Sequence, residues 1–454
     1  MKETDVLIIG GSAAGMVAAL TGKSSWPAKK FTLVKMQKDA MVPCGIPYIF
    51  GTLDSVSENI MPVDGMMEQA GVESITNRVT SLDLETRTAT LESGEKIRYD
   101  RLVMATGSVP VKPTWLNGTD LKKVFVIPKD KSYLEEMNRE IRDCRKIVVV
   151  GAGFIGVELS DELKKNGREV TLVEKMPDIL SAAFDKDLAG RIEQFLDERG
   201  VKIVTGTGVK EIKGKDGAVH EVLLENGETL QADAVVLSMG YEPNSTLARE
   251  AGIPVDQNGF ITVDEYMRTQ VPGVFAVGDC AEKRDFVTRK KTPVMLASTA
   301  CAEARIAGLN LYNLHVVKTF SGTIAIYSTA IGTHGFGTAG ITESRAREEG
   351  FVVETGLFEG VDRHPGKLPD AHKQVVKLVA ARESGIIIGG GVIGGLSAGE
   401  LTNLIGLAIE NKMTAYNLLM SQIGTHPCLT ASPAGYPLIK AAEMIVRKIM
   451  KNGK

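Results

Sequence analysis

The hydrophobic pattern of the chain repeats itself. Val6-Leu7-Ile8-Ile9 runs into Gly10-Gly11-Ser12-Ala13-Ala14-Gly15, then a small-residue helical stretch, then Phe31-Thr32-Leu33-Val34. Ile147-Val148-Val149-Val150 runs into Gly151-Ala152-Gly153-Phe154-Ile155-Gly156, a second helical stretch and Val170-Thr171-Leu172-Val173. Both read strand, glycine turn, helix, strand: the first βαβ of a dinucleotide-binding fold. The glycines let backbone approach a pyrophosphate, which free N–H groups and the dipole of the helix N-terminus then hold. One such turn also closes ordinary βα units. Two in register, each with its strand and helix, carry the assignment.

A third match, Gly389-Gly390-Gly391-Val392-Ile393-Gly394, follows the apolar Ile386-Ile387-Ile388. No strand closed by an acidic residue follows at βαβ distance, and 401–410 reads as continued helix. This match is therefore expected to be a close-packed strand end rather than a ligand loop. The uncharged stretch 386–399 is broken by glycine and shorter than the ~18–20 residues that span a bilayer. Asp5-Val6-Leu7-Ile8-Ile9 starts a strand almost at the first residue, so no leader is expected. These features predict a cytoplasmic protein with no membrane partner.

At roughly 150 residues per domain, 454 residues predict about three domains. Lys and Arg number 53 against 56 Asp and Glu, a net charge of −3 with no block of one sign, so nucleic acid is not an expected partner. Apolar residues make up 43%, which excludes wholesale disorder. The 48 glycines exceed the usual ~7% and show no collagen period, so the excess belongs at turns and ligand loops. The five cysteines (44, 144, 280, 301 and 428) are an odd count without a Cys-x-x-Cys pair. A disulfide framework or a zinc ribbon is not expected, nor is any metal site.

The second unit closes on Glu174. A carboxylate there accepts both ribose hydroxyls of NAD and repels a 2′-phosphate. Lys175 beside it leaves NADPH open, and a solvated strand-end glutamate is the plainer alternative. The first unit departs from the pattern, with Ser12 at its middle glycine and Lys35 where the carboxylate would stand. Lys35 reads either as a cofactor contact or as a solvated surface lysine, and the sequence leaves both open.

Three further motifs follow the glycine turns: Leu102-Val103-Met104-Ala105-Thr106-Gly107, Gly240-Tyr241-Glu242-Pro243-Asn244 and Gly273-Val274-Phe275-Ala276-Val277-Gly278-Asp279. Together the chain resembles, over essentially its whole length, the two-dinucleotide flavoprotein disulfide reductases. The resemblance implies an α/β protein with two Rossmann-like dinucleotide-binding domains plus an α+β C-terminal dimerisation domain. It implies an FAD-binding domain at 1–117 and 243–322, an NAD(P)H-binding domain at 118–242 and a dimerisation domain at 323–454. FAD would be held by Gly10, Ser12, Ala13, Ala14, Gly15, Lys35, Ala105, Thr106, Gly107, Gly278 and Asp279. NADH, with NADPH open, would be held by Gly151, Gly153, Phe154, Ile155, Gly156, Glu158, Glu174 and Gly240. Asp279 matches the family aspartate that hydrogen-bonds the flavin ribitol, although an Asp after Gly also fits a helix N-cap.

The subfamily signal is Val42-Pro43-Cys44-Gly45-Ile46-Pro47-Tyr48. Glutathione and lipoamide reductases carry Cys-x4-Cys, whereas here Ile49 occupies the second position. A single cysteine resembles coenzyme A-disulfide reductases, persulfide reductases and the NADH oxidase/peroxidase group, and the Pro-Cys-Gly-Ile-Pro-Tyr string is most similar to the first two. The oxidases and peroxidases usually carry a histidine where this chain has Ala13. Cys44 is expected to enter a helix beside the flavin, where the N-terminus favours thiolate. An inert buried cysteine is the common alternative. Cys144, Cys280 and Cys301 read as packing; Cys428 is left open.

In the C-terminal region, Ile324-Ala325-Ile326-Tyr327 and Ile341-Thr342-Glu343-Ser344 resemble the opening of the family dimerisation domain, which implies a homodimer whose subunits cap each other's active sites. Coenzyme A-disulfide reductases usually place tyrosines at two positions there; aligned on Pro365-Gly366, the first falls at Arg363, next to His364. The second region, His426-Pro427-Cys428-Leu429-Thr430, resembles the His-Pro segment of lipoamide-type reductases, although the glutamate that orients that histidine would fall at Ala431. His426, reaching the partner's site, is the candidate acid, against a histidine merely packed at the dimer seam. Tyr436 is a second candidate. Only Lys23, Lys29 and Lys30 are available for coenzyme A phosphates, and solvated surface lysines are their plainer reading. The resemblance implies reduction of coenzyme A disulfide, a persulfide or polysulfide, with small thiols as partners. The alternatives are an NADH oxidase or peroxidase cycling Cys44 through sulfenic acid, and a flavoprotein redox sensor or electron carrier.

Overall fold

The computed structural model describes residues 1–452. Its first sheet is built around Lys2–Ile9, which runs parallel to Phe31–Lys35 on one side and Lys96–Met104 on the other. Four successive residues of the central strand, Val6 to Ile9, are buried, because helices and loops cover both faces of the parallel part. The late strand Val274–Ala276 returns to pair with Lys96–Met104, so two distant stretches of chain complete one sheet. Helices Ala13–Ser25 and Ala297–Leu309 pack on this sheet through alanine-rich faces.

The second sheet has five parallel strands in the order Val124–Val126, Ala234–Leu237, Lys146–Val150, Glu169–Val173 and Lys202–Val204. Helix Phe154–Lys165 follows the glycine turn after Lys146–Val150. The chain leaves the first unit along Ser108–Pro110 and comes back along Tyr241–Pro243; the two crossings pair antiparallel.

The third sheet is antiparallel, in the order Tyr327–Ile331, His334–Gly340, Ile387–Gly394, Lys373–Ala381 and Val353–Val361, with helices Ala398–Glu410 and Pro437–Asn452 packed on it. Two Rossmann-like units and an α+β C-terminal unit are thus the observed architecture. The third glycine motif is no ligand loop, but its expected place at a strand end is corrected: Gly389 to Gly394 lie inside the fully buried strand Ile387–Gly394. A Cβ on Gly389 would stand 1.8 Å from the Ile341 carbonyl oxygen, and one on Gly391 2.6 Å from Leu188. The glycines are there because neighbouring chain passes against the strand.

One apolar core crosses all three units. Ile46, Ile49 and Phe50, just beyond Cys44, join Leu159 and Leu163 of helix Phe154–Lys165 and Phe336 and Ile393 of the third sheet. This core fixes the Cys44 segment from behind. Among the described residues no helix is long and apolar enough to cross a membrane.

Candidate active site

The first glycine turn closes on the end of its neighbouring strand. A Cβ on Gly10 would fall 2.0 Å from the Ala105 carbonyl oxygen, and one on Gly15 1.8 Å from that of Gly10. Ser12 caps helix Ala13–Ser25 without a side-chain hydrogen bond, so its hydroxyl and the first N–H groups are open to a phosphate. Ala14 packs beside Gly278, and Thr106 Oγ1 donates to the Asn244 carbonyl at 2.5 Å. The Ala105-Thr106-Gly107 turn, the Gly240–Asn244 motif and the Asp279 turn therefore meet at one edge of the first sheet.

Of the two alternatives the sequence left open for Lys35, the structure bears on the solvated one. Lys35 is 3% exposed, so a solvated lysine is corrected, and its ammonium is committed inside the protein. Nζ donates to the carbonyls of Gln37 and Lys38 and pairs with Asp64 at 3.1 Å. The lysine pins the loop after its strand, and its stem lies against Gly11.

The second turn repeats the first: a Cβ on Gly156 would fall 1.9 Å from the Gly151 carbonyl oxygen. Gly153, the N-cap of helix Phe154–Lys165, and Gly240 both face open space. Glu174 folds back on the turn, accepting the N–H of Ala152 at 2.7 Å and of Met176 at 2.8 Å. It is tied to its loop rather than solvated. Lys175 points away to Glu225. Phe154 stacks on Tyr327 of the third sheet with centroids 4.7 Å apart.

Cys44 sits on a single 3-10 turn, Pro43–Gly45, and is exposed. Three residues of 3-10 helix provide little dipole. Burial of its flanks and the Glu158 carboxylate push the thiol up, Asp279 adds to this, and Lys129 pulls it down. The expectation that a helix N-terminus favours thiolate is therefore corrected for the protein's own groups. Glu158 accepts from Thr329 Oγ1 at 2.7 Å, and burial raises its carboxyl to about 7.

Lys129 is the group that sequence reasoning missed. Its Nζ donates to Asp279 Oδ2 at 2.9 Å and lies 3.0 Å from Ser108 Oγ, which itself donates to Asp279 at 2.7 Å. Burial would raise the Asp279 carboxyl, yet Lys129 and Ser108 hold it below the usual range. Pro128-Lys129-Asp130 carries no motif; its only signal is the position just before the helix Lys131–Ile141.

Cys144 and Cys280 are buried and Cys301 is half-buried. Lys23 is also no free surface group, since its ammonium donates to the carbonyls of Pro27 and Lys29 at 2.9 Å. Lys29 pairs with Asp5 at 3.3 Å, which leaves Lys30 exposed on that face.

On the third unit the structure brings together two segments the sequence treated separately. His364 Nδ1 lies 3.0 Å from the Thr430 carbonyl, the backbone N–H of His364 donates to the Pro427 carbonyl, and Arg363 donates to that of Leu429. His426 is exposed, and its Nδ1 accepts the Cys428 N–H at 3.2 Å. Accepting there leaves the proton of the neutral ring on Nε2. Cys428 is exposed as well. Tyr436 is placed differently from an accessible acid: it is 9% exposed, packed among apolar side chains, and burial pushes its hydroxyl up.

The chain belongs to the pyridine nucleotide-disulphide oxidoreductases. The family model matches residues 4–304, and the model of the family's dimerisation domain matches 326–434. It is accordingly an FAD- and NAD(P)H-dependent oxidoreductase. Among its relatives, an NADH oxidase of Methanocaldococcus jannaschii is 28% identical over 98% of this chain and 99% of its own. A CoA-dependent NAD(P)H sulfur oxidoreductase of Pyrococcus abyssi is 32% identical over 87% of this chain and 88% of its own. The solved structure of an NAD-dependent persulfide reductase from A. fulgidus superposes with a TM-score of 0.89 at 30% identity, covering 99% of this chain and 84% of that one.

Proposed function

We propose that this protein is an NAD(P)H-driven reductase of disulfides or persulfides, with coenzyme A disulfide, low-molecular-weight persulfides and polysulfide as the substrate class and Cys44 as the working thiol. The observation that carries the reading is an exposed Cys44 with the buried Ile49 where a second cysteine would stand, so its sulfur partner must come from outside the chain.

In this reading residues 1–117 and 243–322 hold FAD, through the turn at Gly10 to Gly15, the Ala105–Gly107 turn, Gly278 and Asp279. Residues 118–242 hold NADH through Gly151 to Gly156, Glu174 and Gly240, and 323–454 form the dimer. The close-packed glycine turns with open N–H groups fit pyrophosphates at both places. FAD, when bound, relays two electrons from NAD(P)H to sulfur. The Cys44 thiolate attacks a disulfide or sulfane sulfur; its new S–S bond forms as the substrate's S–S bond breaks, and the leaving sulfur departs with the electron pair of that bond. Lys129 favours the attacking thiolate by its charge. His426, reaching across the dimer, supplies the proton to the leaving sulfur from Nε2.

Cys44→Ser tests the reading. Turnover with coenzyme A disulfide and with polysulfide should be lost while the flavin absorbance stays. Retained turnover would sink the mechanism.

The full-length likeness to a protein named NADH oxidase favours a second reading, in which Cys44 reduces oxygen or peroxide through sulfenic acid. Trapping with a sulfenate-specific nucleophile during NADH turnover under oxygen, with no thiol present, separates the two. Labelling of Cys44 with oxygen turnover exceeding disulfide turnover would favour the oxidase.

A further inference from the structure

A cleft of about 580 Å³ opens where the chain just after Cys44 meets the second unit. Phe50 and Gly51 form part of one wall, and Arg142, Arg145, Asn166 and Arg168 part of the other. Phe50 also belongs to the core behind Cys44; the other residues belong neither to the glycine turns nor to the surroundings of Cys44 described above. The cleft is held in shape by the protein itself, because Asn166 Nδ2 donates to the Phe50 carbonyl at 2.7 Å and so joins the two walls.

Its chemistry is unusual at Arg168. This guanidinium is 9% exposed, and its Nη1 is enclosed without a hydrogen-bond partner. A buried guanidinium short of an acceptor is costly, and it keeps its charge where other groups would neutralise. Two further guanidiniums line the same cleft. Arg142 is exposed and forms no ion pair among the described residues, and Arg145 reaches only the exposed Glu169, at 2.9 Å. Asp54 and Asp143 also line the cleft, and neither is paired with these arginines among the described residues. Glu169 thus occupies Arg145 in part, Arg142 is left without an ion pair, and the innermost guanidinium, Arg168, has an Nη1 without an acceptor.

We propose that this cleft is a binding site for a small phosphate-bearing anion, with Arg168 as the buried anchor and Arg142 and Arg145 closing over it from the surface. The planar fork of a guanidinium matches two phosphate oxygens at once, which a lysine cannot do. An anion held there supplies a counter-charge to the enclosed Arg168 guanidinium, and Asn166 lines the same cleft. Asp54 and Asp143 limit the site to a compact anionic group and exclude an extended polyanion. The proposal is independent of which sulfur compound Cys44 reduces.

The test uses the holoenzyme with FAD bound and NAD⁺ saturating, so that both dinucleotide turns are filled. Inorganic phosphate is titrated by calorimetry at constant ionic strength, with malonate as the carboxylate control. One-site saturable phosphate binding is expected, at least fivefold weaker in Arg142→Ala and absent in Arg168→Gln. Arg142 is exposed, so its variant keeps the test decisive even where Arg168→Gln fails to fold. The proposal is overturned by the absence of saturable binding, by affinity unchanged in Arg142→Ala, or by malonate binding more tightly than phosphate.

Discussion

Around Cys44 two charges of opposite sign set the reactivity of one sulfur. Lys129 lowers the thiol's proton affinity and Glu158 raises it. Lys129→Met should therefore slow iodoacetamide alkylation of Cys44 at pH 8 several-fold, because less of the sulfur is then thiolate. Glu158→Gln should speed the same alkylation, because it removes the repelling carboxylate and keeps an acceptor for Thr329. Glu158 also carries a stability signature. Its carboxyl is raised from 4.5 to about 7, so the folded state keeps a proton that the unfolded chain releases. Stability then falls as pH rises from about 4.5 to 7 and is level beyond. Glu158→Gln should be more stable than the parent by about 3 kcal/mol at pH 8 and no more stable at pH 4, read from thermal unfolding at both pH values. Cys44 was legible because a string of neighbours marks it. Lys129 was not: its partners Asp279 and Ser108 lie far along the chain, and a lysine before a helix looks like any other surface residue.

At the scale of single elements, the three glycine motifs separate by what surrounds them. Gly153 is open and has an ordinary negative φ, whereas Gly389 lies against backbone. Gly153→Ala should leave the unfolding temperature unchanged and weaken NADH binding tenfold or more, since the methyl enters the space a pyrophosphate needs; a fluorescence titration measures it. Gly389→Ala should do the reverse, lowering stability by about 2–3 kcal/mol while any folded fraction binds NADH normally. The same string of glycines thus means ligand approach in one place and chain approach in another. The absence of a following acidic strand was enough to set the third motif apart. Its exact position inside a strand was not visible, because glycine runs carry no periodicity.

For the whole molecule, helix Ala398–Glu410 buries Leu401 and Ile405 against its own sheet and leaves Leu404 and Leu407 exposed, with Leu396, Met420 and Leu429 exposed on the same unit. These are the residues of a chain matched by a dimerisation domain. Leu407→Asp should shift sedimentation from dimer toward monomer and, if His426 acts across the dimer, reduce disulfide turnover in proportion. Local signals were enough for the two dinucleotide units, the C-terminal unit and the missing partner of Cys44, because strand–turn–helix patterns and an Ile in place of a second cysteine are written over a few adjacent residues. The remainder depended on the folded chain. Folding sank Lys35 onto Asp64, packed Tyr436 into a core, joined the His364 and His426 segments, and gathered Lys129, Asp279 and Glu158 around Cys44. Each of these is settled by burial and by charges brought close from distant parts of the chain, and neither quantity exists until the chain has folded.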